Sequence, residues 1–202
     1  DARVRWAHHG APRGVSDILV ADGGIGILRR VQPDGTVTTL AGQRGESGTV
    51  DGSGPAARFG VRTGCIARDR SQARLGVAGD GVGGIYISDV AEGTLRHVTA
   101  AGAVTTVASG LDLFTAHIAF DVTRQAVWMV GAATLLFVNV GDGAVTDTGL
   151  AGQTLAVDAA RDMLFIGRQG DAVGIAGYAL DTLTLRAGPI SPLPTLPSQM
   201  AV

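Results

Sequence analysis

Residues Ala119 to Gly131 read AFDVTRQAVWMVG, and residues Ala156 to Arg168 read AVDAARDMLFIGR. The two stretches align without a gap at an offset of 37 residues: Asp121 falls on Asp158, Arg124 on Arg161, Val127 on Leu164 and Trp128 on Phe165. Each is an apolar run, a short polar turn and a second apolar run. Runs this short, rich in β-branched and aromatic residues and bounded by polar turns, predict paired strands. Repetition at a fixed spacing predicts that the pair is one part of a recurring unit.

A second element recurs beside the first. Residues 27–42 read ILRRVQPDGTVTTLAG, 94–110 read TLRHVTAAGAVTTVASG, and 134–152 read TLLFVNVGDGAVTDTGLAG. Each is a strand, a glycine-containing turn and a Val/Thr-rich strand. The Asp34-Gly35 and Asp142-Gly143 pairs are strong hairpin signals, because such a turn needs positive φ. Joined, the two elements make a unit of four antiparallel strands. Four units are expected, at about 2–42, 61–109, 116–151 and 153–188. In the first, strands are expected near 3–7, 18–21, 27–31 and 37–40. In the second they are expected near 64–68, 84–88, 95–99 and 104–108, with residues 70–82 as an insertion. A glycine-rich connection, 43–60, separates units one and two, and residues 189–202, with Pro189, Pro192, Pro194 and Pro197, are expected to form an extended tail or linker. One four-stranded sheet cannot bury both faces alone, so stacking the sheets side by side is the stable solution. The expected fold is all-β: a β-propeller of four-stranded antiparallel blades, about four in this chain, which either close on themselves or form part of a larger propeller.

Composition fits that reading. The 202 residues are 46% hydrophobic and 17% charged, below the roughly 25% charged of ordinary domains. Disorder, which needs low hydrophobicity and high net charge, is excluded. The 31 glycines show no collagen period and point to many tight turns. Every cation is Arg, and the net charge is −2, without the basic excess of a phosphate-binding domain. A single cysteine, Cys65, rules out an internal disulfide framework. The chain opens Asp1-Ala-Arg, and the expectation is a processed chain or a piece of a longer one. The uncharged run 125–141 is shorter than the ~20 residues of a membrane helix. It contains Gly131 and Asn139 and divides into two strands, so no spanning segment is expected.

Residues 42–69, GQRGESGTVDGSGPAARFGVRTGCIARD, followed by 83–110, GGIYISDVAEGTLRHVTAAGAVTTVASG, resemble an NHL-repeat β-propeller. The resemblance rests on Asp51-Gly52, Ala57-Arg58-Phe59, strands ending in Asp69 and Asp89, and the strand pair Arg96 to Ala108. Residues 17–42 carry the same pattern, whereas 111–188 show the period without the motif. Such propellers usually have six blades and this chain supplies about four, so the resemblance implies that the four close on themselves or that the remaining blades lie outside this segment. It also implies a cell-surface or extracellular setting, with a cytoplasmic one as the alternative.

His8 and His9 are adjacent, so on a strand they point to opposite faces. His97 and His117 lie apart from them in sequence. A metal site needs several ligands converging on one point, and two Glu with one Asn do not supply the set that a propeller lactonase would use. Asp22, Asp69, Asp89, Asp121 and Asp158 all end strands. They form either a carboxylate ring that binds calcium or a set of turn residues accepting backbone N–H bonds, and the turn reading is preferred. Gly79-Asp-Gly-Val-Gly-Gly84 lacks the following Lys and helix of a phosphate loop and is expected to be a plain loop. No nucleophile-elbow motif frames a serine. Cys65 is expected to be buried and inert. Ile66, Val127, Trp128, Leu164 and Phe165 are expected to pack between sheets, and Trp6, Phe137 and Tyr86 to sit on strands. Arg29, Arg30, Arg44 and Arg96 could form a small basic patch for RNA.

The expectation is a non-catalytic scaffold or protein-interaction module with no catalytic, cofactor or metal residues and no cofactor. Its partners would be proteins or further domains of the same chain, with nucleic acid disfavoured. A metal-dependent propeller lyase or lactonase is the alternative, and an RNA-binding NHL domain a further one.

Overall fold

The computed structural model describes residues 7–13, 17–23, 25–60, 75–168 and 174–190. Trp6, Cys65, Ile66 and Asp69, the strand expected at 64–68 and the tail expected beyond Ile190 lie outside these residues.

Four antiparallel sheets account for almost all of the regular structure. The first is β1 (Ala7–Arg13), β2 (Asp17–Asp22), β3 (Ile27–Val31) and β4 (Val37–Ala41), in that spatial order. The connection that follows carries a two-residue strand, β5 (Gly52–Ser53), and one 3₁₀ turn at Gly54–Ala56. The second sheet is β6 (Leu75–Gly79), β7 (Ile85–Asp89), β8 (Thr94–Val98) and β9 (Ala103–Ala108), with β5 paired on the outer edge of β9. The third is β10 (Leu113–Asp121), β11 (Ala126–Gly131), β12 (Leu135–Asn139) and β13 (Val145–Asp147). The fourth is β14 (Thr154–Asp158), β15 (Met163–Arg168), β16 (Gly174–Ala179) and β17 (Leu185–Ile190). This is the expected all-β, blade-by-blade architecture. The two hairpin glycines, Gly35 and Gly143, sit at φ of +83° and +73°, as their turns require.

Two strand positions differ from the sequence reading, and the strand expected at 3–7 lies, apart from Ala7 at the start of β1, outside the described residues. The strand reading of β17 runs on through Pro189 to Ile190. The first strand of the second sheet is Leu75–Gly79, inside the stretch expected to be an insertion. Its two glycines and the Gly-Asp-Gly turn after it hid the strand. Yet Leu75 and Val77 alternate onto the core, at 1% and 8% exposure. Gly76 lies where β6 and β10 approach, and a Cβ there would run into the carbonyl oxygen of Ala116 and the hydroxyl of Ser88.

The first strands of the sheets pack in series, β1 on β6, β6 on β10 and β10 on β14. Among the described residues no comparable packing joins β14 back to β1. Three apolar clusters fill the three spaces between successive sheets. Between the first and second lie Leu19, Leu28, Phe59, Leu75, Ile85 and Ile87. Between the second and third lie Tyr86, Leu95, Val127, Met129 and Val138. Between the third and fourth lie Trp128, Leu135, Leu164, Ile166 and Tyr178. Trp128 meets Phe137 edge-on at 5.0 Å, a favoured aromatic geometry.

The order of these clusters explains which strands are buried on both faces. Every residue of β7 and β11 is buried, because their sheets have neighbours on either side. In β2 and β15 only one face is covered. Ile18 is 50% exposed and Ile175, beside β15 on β16, is 50% exposed. Phe165 was expected between sheets with Leu164; Leu164 is, but Phe165 points the other way and is only partly buried. It occupies the position that Trp128 holds one sheet earlier, and among the described residues no following sheet covers it.

Candidate functional site

The connection at 43–60 is pinned to the second sheet by one side chain. Arg96, on β8, is fully buried. Its Nη2 donates to the Val50 carbonyl at 2.7 Å and to Asp51 Oδ1 at 2.7 Å, and its Nη1 donates to the Arg58 carbonyl. Its guanidinium carbon stands 5.0 Å over the Phe59 ring, a cation–π contact. Asp51 also accepts the Thr106 N–H at 2.9 Å and the Thr106 hydroxyl at 2.9 Å. Burial works to raise the Asp51 pKa, but these donors and the Arg96 charge outweigh it and hold the carboxyl below its ordinary value. The Asp-Gly…Ala-Arg-Phe signature is therefore an anchoring device. Sequence reasoning noted its residues but missed the Arg96–Asp51 pair, whose members lie 45 positions apart and carry no local pattern.

The strand-ending carboxylates divide between the two ends of the sheets. Asp22 and Asp89 close second strands, whereas Asp121 and Asp158 close first strands. In antiparallel sheets those positions are at opposite ends, so the four make no single ring. Asp89 accepts the Gly60 N–H at 2.6 Å and the Glu92 N–H at 3.3 Å. Its burial pushes the carboxyl up to about 6, against the opposing pull of these donors. Asp121 accepts N–H bonds from Thr123 and Arg124, and Asp158 from Arg161. In each turn the Arg side chain folds back onto the same Asp. The next residue, Gln125 or Asp162, is left-handed, at φ 49° or 56°. Arg124 additionally pairs with Asp162, tying the third sheet's turn to the fourth's.

His8 and His9 lie on β1, and His117 lies on β10. His97 Nε2 meets Asp80 Oδ2 at 2.9 Å, and its ring stacks on Tyr86 at 4.8 Å. Asp80, in the loop expected to be featureless, also accepts the N–H groups of Val82 and Gly84, both at 2.8 Å, so the loop is a built turn. Among the described residues no group of three metal-ligating side chains converges. The basic patch is not formed either. Arg96 is buried, Arg30 pairs with Asp17 at 2.5 Å, and adjacent Arg29 and Arg30 project from opposite faces of β3.

One open groove of about 340 Å³ lies where the third and fourth sheets meet, lined by Phe114, Ala132, Ala133, Gly152, Gln153 and Arg168. Phe114 is 57% exposed, and Arg168 Nε is held by the Ala151 carbonyl at 2.9 Å.

No protein-family model and no curated protein matches the chain. Solved structures do. Streptogramin B lyase is similar at a TM-score of 0.63 and 12% identity, over 94% of this chain and 55% of the lyase. The extracellular domain of a Bacteroides thetaiotaomicron protein assigned as a one-component system is similar at 0.54 and 18%, over 88% of this chain and 21% of that one. A Bacteroides uniformis protein assigned as a 6-phosphogluconolactonase is similar at 0.54 and 16%, over 87% and 54%. At these identities the likeness establishes the fold: the chain is a β-propeller-like protein. It spans about half the length of the lyase it matches.

Proposed function

We propose that the chain is a non-catalytic, NHL-like propeller module that serves as a scaffold or protein-interaction platform within a larger assembly at the cell surface or outside the cell. The observation that carries this reading is the pair of sheet faces left uncovered at the two ends of the array. Each has a counterpart that is buried where a neighbouring sheet exists. Uncovered faces with sheet-like complementarity are what a module in a larger assembly presents. Support also comes from the polar groups, since Arg96, Asp51, Asp89, Asp121 and Asp158 are each committed to holding a turn or connection. The likeness to an extracellular sensor domain is in keeping with the proposed setting.

The scaffold and lyase readings make opposite predictions, and the following hold for the scaffold. Elemental analysis of the purified chain should find no stoichiometric metal, and streptogramin B should not be turned over. One tightly held metal ion per chain, or measurable turnover, would replace the scaffold reading with the lyase one.

A further inference from the structure

The first two sheets repeat each other at a spacing of 67 residues, and the repeat extends to the uncovered face. Ile18, Val20, Arg29, Val31, Val37 and Thr39 line one face of the first sheet and fall on Ile85, Ile87, Arg96, Val98, Val104 and Thr106 of the second. In the second sheet Ile85, Ile87, Arg96 and Val98 are fully buried and Val104 is 2% exposed. What buries them is the preceding sheet together with the 50–59 connection. In the first sheet Ile18 is half exposed, and Val20, Arg29, Val31 and Val37 are only partly buried. Arg29 holds on β3 the register position that Arg96 holds on β8, where the Arg96 guanidinium bonds Asp51 and two backbone carbonyls and leaves Thr106 to Asp51. Arg29 Nη1 donates to Thr39 Oγ1 at 2.6 Å, Thr39 being the counterpart of Thr106. Its Nε is buried without a hydrogen-bond partner, as is that of Arg96. No carboxylate among the described residues stands over Arg29 as Asp51 stands over Arg96.

We infer that this face is a docking socket for an extended segment of the Asp-Gly-x-Gly…Ala-Arg-Phe kind, belonging to a further sheet of the same repeat. Arg29 and Thr39 take the aspartate carboxylate, the guanidinium takes the two flanking backbone carbonyls, and the phenylalanine ring covers Val20 and the guanidinium plane. The occupant is chosen by the twin site. A cation with a hydroxyl beside it, set in an apolar face, is complementary to one acidic group on an otherwise apolar strand. The inference rests on the scaffold reading only in treating this face as an interface.

The test is titration of the ¹⁵N-labelled 202-residue chain with a synthetic peptide of residues 48–60, GTVDGSGPAARFG. The expected result is saturable shifts confined to β2, β3 and β4, with β8 and β9 unmoved because their own connection occupies them. The peptide carrying the Asp51→Asn change should bind roughly tenfold more weakly or worse, as loss of a charge-assisted pair implies. Arg29→Met in the protein should weaken the wild-type peptide alike. Absence of shifts at millimolar peptide would overturn the inference, as would equal binding of the Asp and Asn peptides to the unaltered protein. Self-association through β2–β4 that Arg29→Glu abolishes, without peptide binding, would assign the face to a second copy and overturn it too. A metal ion found by elemental analysis would remove the scaffold reading and leave the peptide result untouched.

Discussion

Asp89 and Gly76 show how single residues carry the packing. The Asp89 carboxyl is buried and titrates near 6, above the 3.8 of a free aspartate. Between about pH 4 and pH 6 the folded chain therefore holds a proton that the unfolded chain releases. Its contribution to stability is fully present below about pH 4 and is lost as pH rises through 6. The loss is on the order of 3 kcal/mol, at about 1.4 kcal/mol per pKa unit. Denaturation midpoints of the wild type and Asp89→Asn across pH 4–7 should show a downward drift in the wild type that the variant lacks, and parallel curves would refute it. Gly76 fails for a different reason. A methyl there has only the β10 backbone and Ser88 to meet. Gly76→Ala should cost about 3 kcal/mol or more by forcing the two strands apart, read as a shifted urea midpoint. An undisturbed midpoint would mean that β6 does not lie so close to β10. Neither effect was legible in the sequence. Asp89 was read as a turn residue, and Gly76 as part of a loop, because the constraint on each comes from a residue 29 or more positions away.

Among the elements, the hairpins were the readable part. Ile27–Val31 and Val37–Ala41 follow directly from the recurring strand and Val/Thr-rich strand on either side of an Asp-Gly turn, and the 37-residue repeat located β10, β11, β14 and β15 because both hairpins use the same Asp-x-x-Arg turn. β6 was hidden because its alternation is carried by glycines, which look the same in a strand and in a loop. The 43–60 connection behaves as an element in its own right, held by Arg96. Arg96→Met keeps the apolar bulk but removes the donors to Val50, Asp51 and Arg58. It should cost roughly 3 kcal/mol or more and make residues 43–60 the first site of proteolysis. Equal resistance of the connection to protease in variant and wild type would show that Phe59 packing alone holds it. Arg29→Met, on the uncovered twin, should change stability by less than about 1 kcal/mol, since only its bond to Thr39 is lost.

For the whole molecule, burial grades from the middle sheets outward. Among the described residues the first sheet keeps one face only partly covered, with Ile18 half exposed and Val20 partly buried, and the fourth does so with Ile175 half exposed and Phe165 partly buried. The sequence announced four units, but not which faces would lie open, since Trp128 and Phe165 look alike until the order of sheets is known. The expected behaviour of residues 1–202 in isolation is concentration-dependent association, measured by light scattering after gel filtration. A strictly monomeric chain with one cooperative melt would mean that the array needs nothing beyond itself. The 67-residue correspondence of the first two sheets has a consequence for descent. A sheet that presents on one side the imprint its neighbour fills on the other can be duplicated in tandem, and the new copy meets a ready-made seam. Length can then change by whole repeats through gene duplication or loss, and a copy of the first two sheets would carry with it the seam of Arg96 against Asp51 and Phe59.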